Sequence, residues 1–193
     1  YDVALVVDGD VVDTKPLVIV MDPAVELAGA ERIAYDNITI DLHELQRRGT
    51  EIAGALNTLH GQVTAASGEL DGKDDASESV KAVFEAFEEA WDELRVQFGV
   101  PMAAGGGGRG GFGRGRGGGG NPANVLARAG ALKGTILSFW EAPSAALIGQ
   151  YYDVKPALEG AIADAEAMLL RAEALSEMLD GEGITMEVPA LGN

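Results

Sequence analysis

The sequence predicts a mainly α protein, an antiparallel helical bundle of two long helical hairpins preceded by a β-hairpin. Four stretches carry apolar residues at alternating spacings of three and four, which is typical of helices that bury one stripe. The first 21 residues alternate with the period of a strand. A glycine-rich tract at 105–120 separates the first pair of helical stretches from the second.

The segment 1–23 is predicted to form the β-hairpin. Asp8-Gly9 supplies a pair of residues that can take positive φ, as a tight type I′ turn requires. The second strand-like run, 11–21, contains Pro16, which suits an edge strand or a bulge. Because an isolated two-stranded hairpin is marginal in water, it must complete a sheet contributed by something else or lie on the helices. We favour the first alternative.

The segment 24–104 is predicted to be the first helical hairpin. Its first helix runs from about 29 to 66 and its second begins near Asp75, which caps it together with Glu78. Gly99, with Pro101 two residues later, ends the second helix. The first apolar seam consists of Ile38, Leu42, Leu45, Gly49, Ile52, Leu56, Leu59, Val63 and Ala66. The second consists of Val80, Phe84, Phe87, Trp91, Leu94 and Phe98.

The tract 105–120, GGGGRGGFGRGRGGGG, is predicted to be a flexible linker because it has almost no apolar area to bury.

The segment 121–193 is predicted to be the second helical hairpin with an extended tail. Its third helix starts at Asn121-Pro122, and 142–144 breaks it. A short helix over 145–155 is followed by Pro156, which either kinks the fourth helix or opens it. The two seams are Val125, Ala129, Leu132, Ile136 and Trp140, and Leu158, Ile162, Ala165, Leu169, Ala172 and Leu179.

Charge and composition narrow the classes of partner. With 14 basic and 31 acidic residues the formal charge is −17, which repels polyanions, so we expect no nucleic-acid partner. Arg109, Arg114 and Arg116 with Phe112 leave single-stranded RNA as a weak alternative. No apolar run approaches the roughly 18 to 20 residues that cross a bilayer, so we expect no direct membrane span.

No catalytic, cofactor or metal site is predicted. There is no cysteine, and His43 and His60 are 17 positions apart on one helix, about 25 Å, so they cannot share a metal ion. The aspartates near the hairpin turn and between the first two helices leave calcium binding open, although they do not match an EF-hand.

A partner-binding surface is the one candidate site. The region 125–152 is the least charged in the chain and holds Phe139, Trp140, Tyr151 and Tyr152. Tyr and Trp in a sparsely charged stretch are typical of protein interfaces. The alternative, which we favour somewhat, is that these side chains complete the bundle core.

The opening YDVALVVDGDVVDTKPLVIVMDPAV resembles the closing strands of an Ig-like domain that ends in Asp-Pro and runs into a long helix. With the two helical hairpins and the short tail, it resembles the C-terminal region of bacterial sortilin-like β-propeller proteins, which carry sialidase-type (BNR) repeats. The resemblance implies that the β-hairpin is the end of an Ig-like β-domain and that the module is extracytoplasmic, periplasmic or secreted, and non-catalytic.

We therefore expect a non-enzymatic structural or interaction module. It would be an accessory subunit or C-terminal fragment that docks on a larger protein assembly, including the outer face of a membrane-bound complex. The alternative is a part of a glycan-binding or glycan-processing exported protein.

Overall fold

The structure is a computed structural model that describes residues 1–20, 22–23, 25, 27–100 and 122–191. The described chain contains two β-strands and four α-helices, which confirms a mainly helical protein with an N-terminal β-hairpin. The elements are β1 (Asp2–Val7), β2 (Asp10–Pro16), α1 (Gly29–Asp71), α2 (Glu78–Gln97), α3 (Val125–Leu137) and α4 (Ala145–Gly181).

The β-hairpin has the predicted turn. Asp8 and Gly9 take φ of 52° and 94°, as a type I′ turn requires. β1 and β2 are antiparallel, with a bulge at Val12 where Leu5 pairs with Asp13 and Val6 with Val11. β2 ends at Pro16 rather than continuing to residue 21. Every side chain of residues 1–20 is exposed, so the alternative that the hairpin lies on the helices is wrong.

The helices form a bundle whose cross-section contains three helices. α1 and α4 run parallel, since Asp41 near the start of α1 contacts Tyr151 and Arg48 further along contacts Glu166. α3 runs antiparallel to α1, with Leu126 against Gly49 and its far end beside the start of α1. α2 is antiparallel as well, because its first residues lie at the end of α4.

α2 and α3 therefore lie end to end, and together they occupy the third helix position in the cross-section of the bundle, beside α1 and α4. Gly99, just after α2, lies directly against the side chain of Asn124, which caps α3. The lengths agree with this arrangement: α2 has 20 residues and α3 has 13, together about 50 Å, while α4 has 37 and spans about 55 Å. α1 and α2 are antiparallel, as are α3 and α4, and each of these pairs consists of one long helix and one shorter helix.

The predicted seams form one continuous hydrophobic core. All members of the second and fourth seams are buried, and of the first only Ile38 is partly exposed. Gly49 allows the close approach expected of a small seam residue, because a Cβ there would lie 2.7 Å from Leu126 Cδ1. In the third seam Trp140 is the exception, since α3 ends at Leu137 and Trp140 is exposed.

Two predicted boundaries of the first helical pair are wrong. α1 continues past Ala66 to Asp71, because Leu70 is still buried in the core. The N-cap of α2 is Ser77 rather than Asp75, and its backbone N–H donates to the carboxylate of Glu182, 3.4 Å away. A residue distant in sequence thus supplies the negative charge that favours a helix N-terminus.

α3 begins later than predicted. Its N-cap is Asn124, whose Oδ1 accepts a 2.8 Å hydrogen bond from the N–H of Ala127, so Pro122 lies in a turn before the helix. Asn121 and the predicted linker at 105–120 lie outside the described residues.

α4 is one continuous helix where the sequence predicted two pieces. Ser144 caps it, and Pro156 lies within it, well past the first turn. Pro156 has no N–H to donate to the carbonyl of Tyr152, so α4 lacks that helical hydrogen bond, but Val154 and Leu158 on either side are buried in the core. The tail after α4 has no regular secondary structure, and it buries Ile184 and Met186 against the bundle.

Candidate functional site

Exposed apolar side chains are concentrated at one end of the molecule. In the described residues, those of the helical bundle cluster where α1 begins and where α3 passes into α4. We call this set the apolar end: Ile33, Ile40, Leu137, Phe139, Trp140 and Tyr152. Elsewhere on the described bundle, the large apolar side chains that are exposed are Val83, Leu170 and Met178, each on its own. The β-hairpin is joined to the bundle at this same end, through α1.

Trp140 is an exposed aromatic residue of the apolar end. Its ring stacks on that of Tyr35, with centroids 6.4 Å apart and planes 19° from parallel. Tyr35 is buried, so it fixes the position of the indole while most of the indole surface remains in water. An aromatic ring held rigidly at the surface is the kind of anchor that dominates the energy of protein interfaces.

The four predicted partner-binding residues divide into two groups. Phe139, Trp140 and Tyr152 are exposed, so the interpretation that they complete the core is wrong for these three. Tyr151 is half-buried, packs against the core and contacts the ring of Tyr152 edge-on at 5.3 Å. The structure thus brings these aromatic residues to one end of the bundle, three of them accessible.

Tyr151 belongs to a polar cluster that joins α1 to α4. Asp41 Oδ2 accepts a hydrogen bond from Tyr151 Oη at 2.6 Å and another from Lys155 Nζ at 2.7 Å. Lys155 also pairs with Glu159 one turn further along α4, at 3.2 Å. One carboxylate therefore holds two residues of the neighbouring helix beside the apolar end.

The pKa values in this cluster favour fixed charges. Burial opposes the ionisation of Asp41, but the hydrogen bonds from Lys155 and Tyr151 outweigh it and hold the pKa of that carboxyl below its ordinary value. Burial and the bond to Asp41 raise the pKa of Tyr151 to about 12, and the bond to Asp41 raises that of Lys155. A tyrosine whose pKa is raised is less available as a base at neutral pH, so the cluster is suited to holding helices in register.

A second buried polar group lies between α1 and α2. Arg95 is only 1% exposed, pairs with Asp92 at 2.6 Å, and donates to the carbonyl of Val100 at 3.4 Å. Burial lowers the pKa of the nearby His60, and the positive charge of Arg95 lowers it further. His60 Nδ1 and Trp91 Nε1 are buried without a hydrogen-bond partner. The core around Arg95 therefore contains polar atoms whose hydrogen-bonding capacity is not fully used.

The described residues contain neither a metal-binding cluster nor a membrane-spanning helix. Among them, no group of three or more His, Asp or Glu side chains is placed to hold a metal ion. No helix in the described part of the chain is both long and apolar enough to cross a membrane. Burial and the neighbouring acidic side chains raise the pKa of the Glu88 carboxyl.

Sequence reasoning found the aromatic residues but missed the groups that position them. Tyr35 and Asp41 lie on α1, more than 100 residues from Trp140 and Lys155, and only the folded bundle brings them into contact. The available signal was weak: Asp41 adjoins the seam residue Leu42, and Lys155 adjoins Val154, which is buried but was not assigned to a seam. Comparisons with protein-family models, with curated proteins and with solved structures gave no match to this chain.

Proposed function

We propose that this chain is a non-catalytic interaction module that docks on a larger protein assembly through its apolar end and its β-hairpin. One observation carries the proposal. In the described residues, the exposed large apolar side chains belong to residues 1–20 or to the apolar end, apart from the isolated Val83, Leu170 and Met178. Apolar area gathered on one part of an acidic, otherwise polar protein is typical of a binding surface.

The resemblance to the C-terminal region of bacterial sortilin-like proteins supports a specific version of this role. In that version the hairpin is the end of an Ig-like β-domain, and the module is an extracytoplasmic accessory subunit or C-terminal fragment. The full exposure of residues 1–20 agrees with a hairpin that completes a sheet outside the bundle. The partner is a protein, including one that is part of a membrane-bound complex on its outer face.

Site-specific photo-crosslinking in the native cell tests the proposal. A benzoylphenylalanine placed at Trp140 should give a discrete protein adduct. The matched control is the same substitution at Leu170 on α4, because the two side chains are equally accessible, at 66% and 67% exposure. We expect no discrete adduct at position 170. Equal labelling at both positions, or none at 140, would contradict docking through the apolar end.

A glycan-binding role is the second candidate. It is favoured by the exposed, rigidly stacked indole of Trp140, since sugar rings stack on flat aromatic faces. A glycan array probed with the wild-type chain and with Trp140→Ala separates the two functions. Binding that is lost in the variant would establish the glycan role, whereas a blank array together with the crosslink at position 140 supports protein docking.

A further inference from the structure

The two outer edges of the β-hairpin differ in their free backbone groups. Tyr1 and Leu17 exchange both backbone hydrogen bonds, with N–O distances of 3.3 and 2.7 Å. In an antiparallel pair, residues that exchange bonds alternate with residues whose N–H and C=O point away from the partner strand. Counting from Tyr1, the backbone groups of Asp2, Ala4 and Val6 therefore point outward from β1.

The outer edge of β2 is blocked at each corresponding position. Pro16, which pairs with Asp2, has no N–H to offer. Thr14, which pairs with Ala4, already donates its N–H to the carboxylate of Asp13 at 2.8 Å. Val11, which pairs with Val6, directly precedes the bulge at Val12, and this bulge interrupts any straight ladder on that edge. Bulges, prolines and charges at an edge are the usual protection against strand pairing.

The outer edge of β1 has none of this protection. After Asp2 it carries no charge and no proline, and its pairing register is regular up to Leu5. Val3, Leu5 and Val7 lie on one face of the strand and are exposed, so an added strand would gain apolar neighbours as well as backbone bonds. Strand addition to an exposed edge is an established mode of protein recognition.

We infer that the outer edge of β1 accepts a β-strand from a different protein, through the backbone groups of Asp2, Ala4 and Val6. This inference rests on the proposed docking function, with the sheet that the hairpin completes belonging to the partner, and it names the chemistry of the added strand: an extended segment, apolar at alternate positions and uncharged or basic. A second copy of this chain is a poor occupant, because pairing two β1 edges brings together two chains that each carry a charge of −17.

The test uses a synthetic capped peptide of alternating valine and threonine with a lysine at each end. The chain is compared with Ala4→Pro and with Thr14→Pro, which alter the two members of one cross-strand pair. Each substitution removes one outward N–H, on opposite edges, and neither changes the charge. Ala4→Pro should weaken peptide binding at least tenfold, and Thr14→Pro should leave it within about twofold.

Hydrogen exchange gives a second readout of peptide binding, which can be made on the wild-type chain. The peptide should protect the amides of Ala4 and Val6 in the wild-type chain and leave that of Thr14 unchanged. In Ala4→Pro, the inward amides of Val3 and Leu5 should exchange as in the wild type, which shows that the hairpin remains folded.

Three results would overturn the inference: no binding to the wild-type chain, equal loss in the two variants, or a dimer in light scattering that Ala4→Pro dissociates. The last result would identify a second copy as the occupant. None of them alters the crosslinking result at Trp140, so failure of this inference is distinguishable from failure of the proposed function.

Discussion

Asp41 fixes the register of the two long helices at the apolar end. Its carboxylate accepts hydrogen bonds from Tyr151 and Lys155, which lie one turn apart on α4, so α4 cannot slide along α1 without breaking both. Lys155 is further held by Glu159. Because Tyr151 contacts Tyr152, the same carboxylate also fixes part of the surface that we propose to be the docking site.

Replacing Asp41 by asparagine should destabilise the bundle at neutral pH by about 1 to 2 kcal/mol. Hydrogen bonds to a charged group contribute about 1.5 to 3 kcal/mol, and we lower that range because about a third of the Asp41 and Lys155 side chains remains in water. Urea denaturation followed by circular dichroism measures the change. Asp36→Asn, an exposed carboxylate on the same helix, is the control and should change stability by less than about 0.5 kcal/mol.

The effect of Asp41→Asn should depend on pH. The pKa of Asp41 in the folded protein is below its ordinary value, so its contribution is complete above about pH 4 and is lost as the pH falls through the folded-state pKa. The difference in stability between the wild type and Asp41→Asn should therefore shrink on acidification. A difference that stays constant down to pH 2 would mean that the charge of Asp41 does not contribute.

At the scale of elements, the end of α2 and the start of α3 meet at Gly99 and Asn124. α2 ends in a Schellman motif, in which the N–H of Gly99 donates to the carbonyl of Val96 and the N–H of Val100 donates to that of Arg95. Gly99 takes a φ of 71° and also lies against the side chain of Asn124. Gly99 thus completes the C-terminal motif of α2 and also packs against the residue that caps α3.

Gly99→Ala should destabilise the protein by about 1 to 2 kcal/mol or more. The left-handed conformation costs a residue with a Cβ about that much, and the Cβ would displace the capping side chain of Asn124. Gly134→Ala, in the exposed interior of α3 with open space around the Cβ, is the matched control. It should stabilise the protein by about 0.5 to 1 kcal/mol. Thermal and urea unfolding of both variants check the signs, and a neutral Gly99→Ala would contradict this account of the junction.

At the scale of the whole molecule, local periodicity predicted which residues form the core but not how the helices are arranged around it. The seams through Leu56, Phe87 and Leu169 are buried as predicted, because a 3.6-residue repeat depends only on the helix itself. The three-helix cross-section depends on which helices pack against one another, and local sequence patterns do not specify that. The cap of α2 was mispredicted for the same reason, since Glu182 reaches it only in the folded bundle.

The candidate site was predictable in composition and not in geometry. The sparse charge and aromatic content of 125–152 pointed to Trp140, but its helical spacing placed it in the third seam. α3 ends three residues earlier, at Leu137, and this moves Trp140 from the core to the surface. Helix ends depend on capping and tertiary contacts, which are the features that sequence patterns specify least well.

The end-to-end arrangement of α2 and α3 leads to a prediction about the segment between them. Gly99 and Asn124 are in contact, so the chain leaves and re-enters the bundle at neighbouring points. Replacing residues 101–121 by about five glycines and serines should therefore preserve the fold. Stability should rise by about 1 kcal/mol, because a shorter loop costs less closure entropy.

Urea denaturation of the shortened chain, followed at Trp91 in the core, measures the change. A single transition with an unchanged m-value and a higher midpoint is the expected result, since α1 and α4 contact both short helices and unite them in one cooperative unit. A replacement of the same length as 101–121, made only of glycine and serine, is the control and should leave stability within about 0.5 kcal/mol of the wild type. A loss of several kcal/mol in both variants would mean that the native residues of this segment contribute to the bundle, and that α2 and α3 need more than their shared contacts with α1 and α4 to stay aligned.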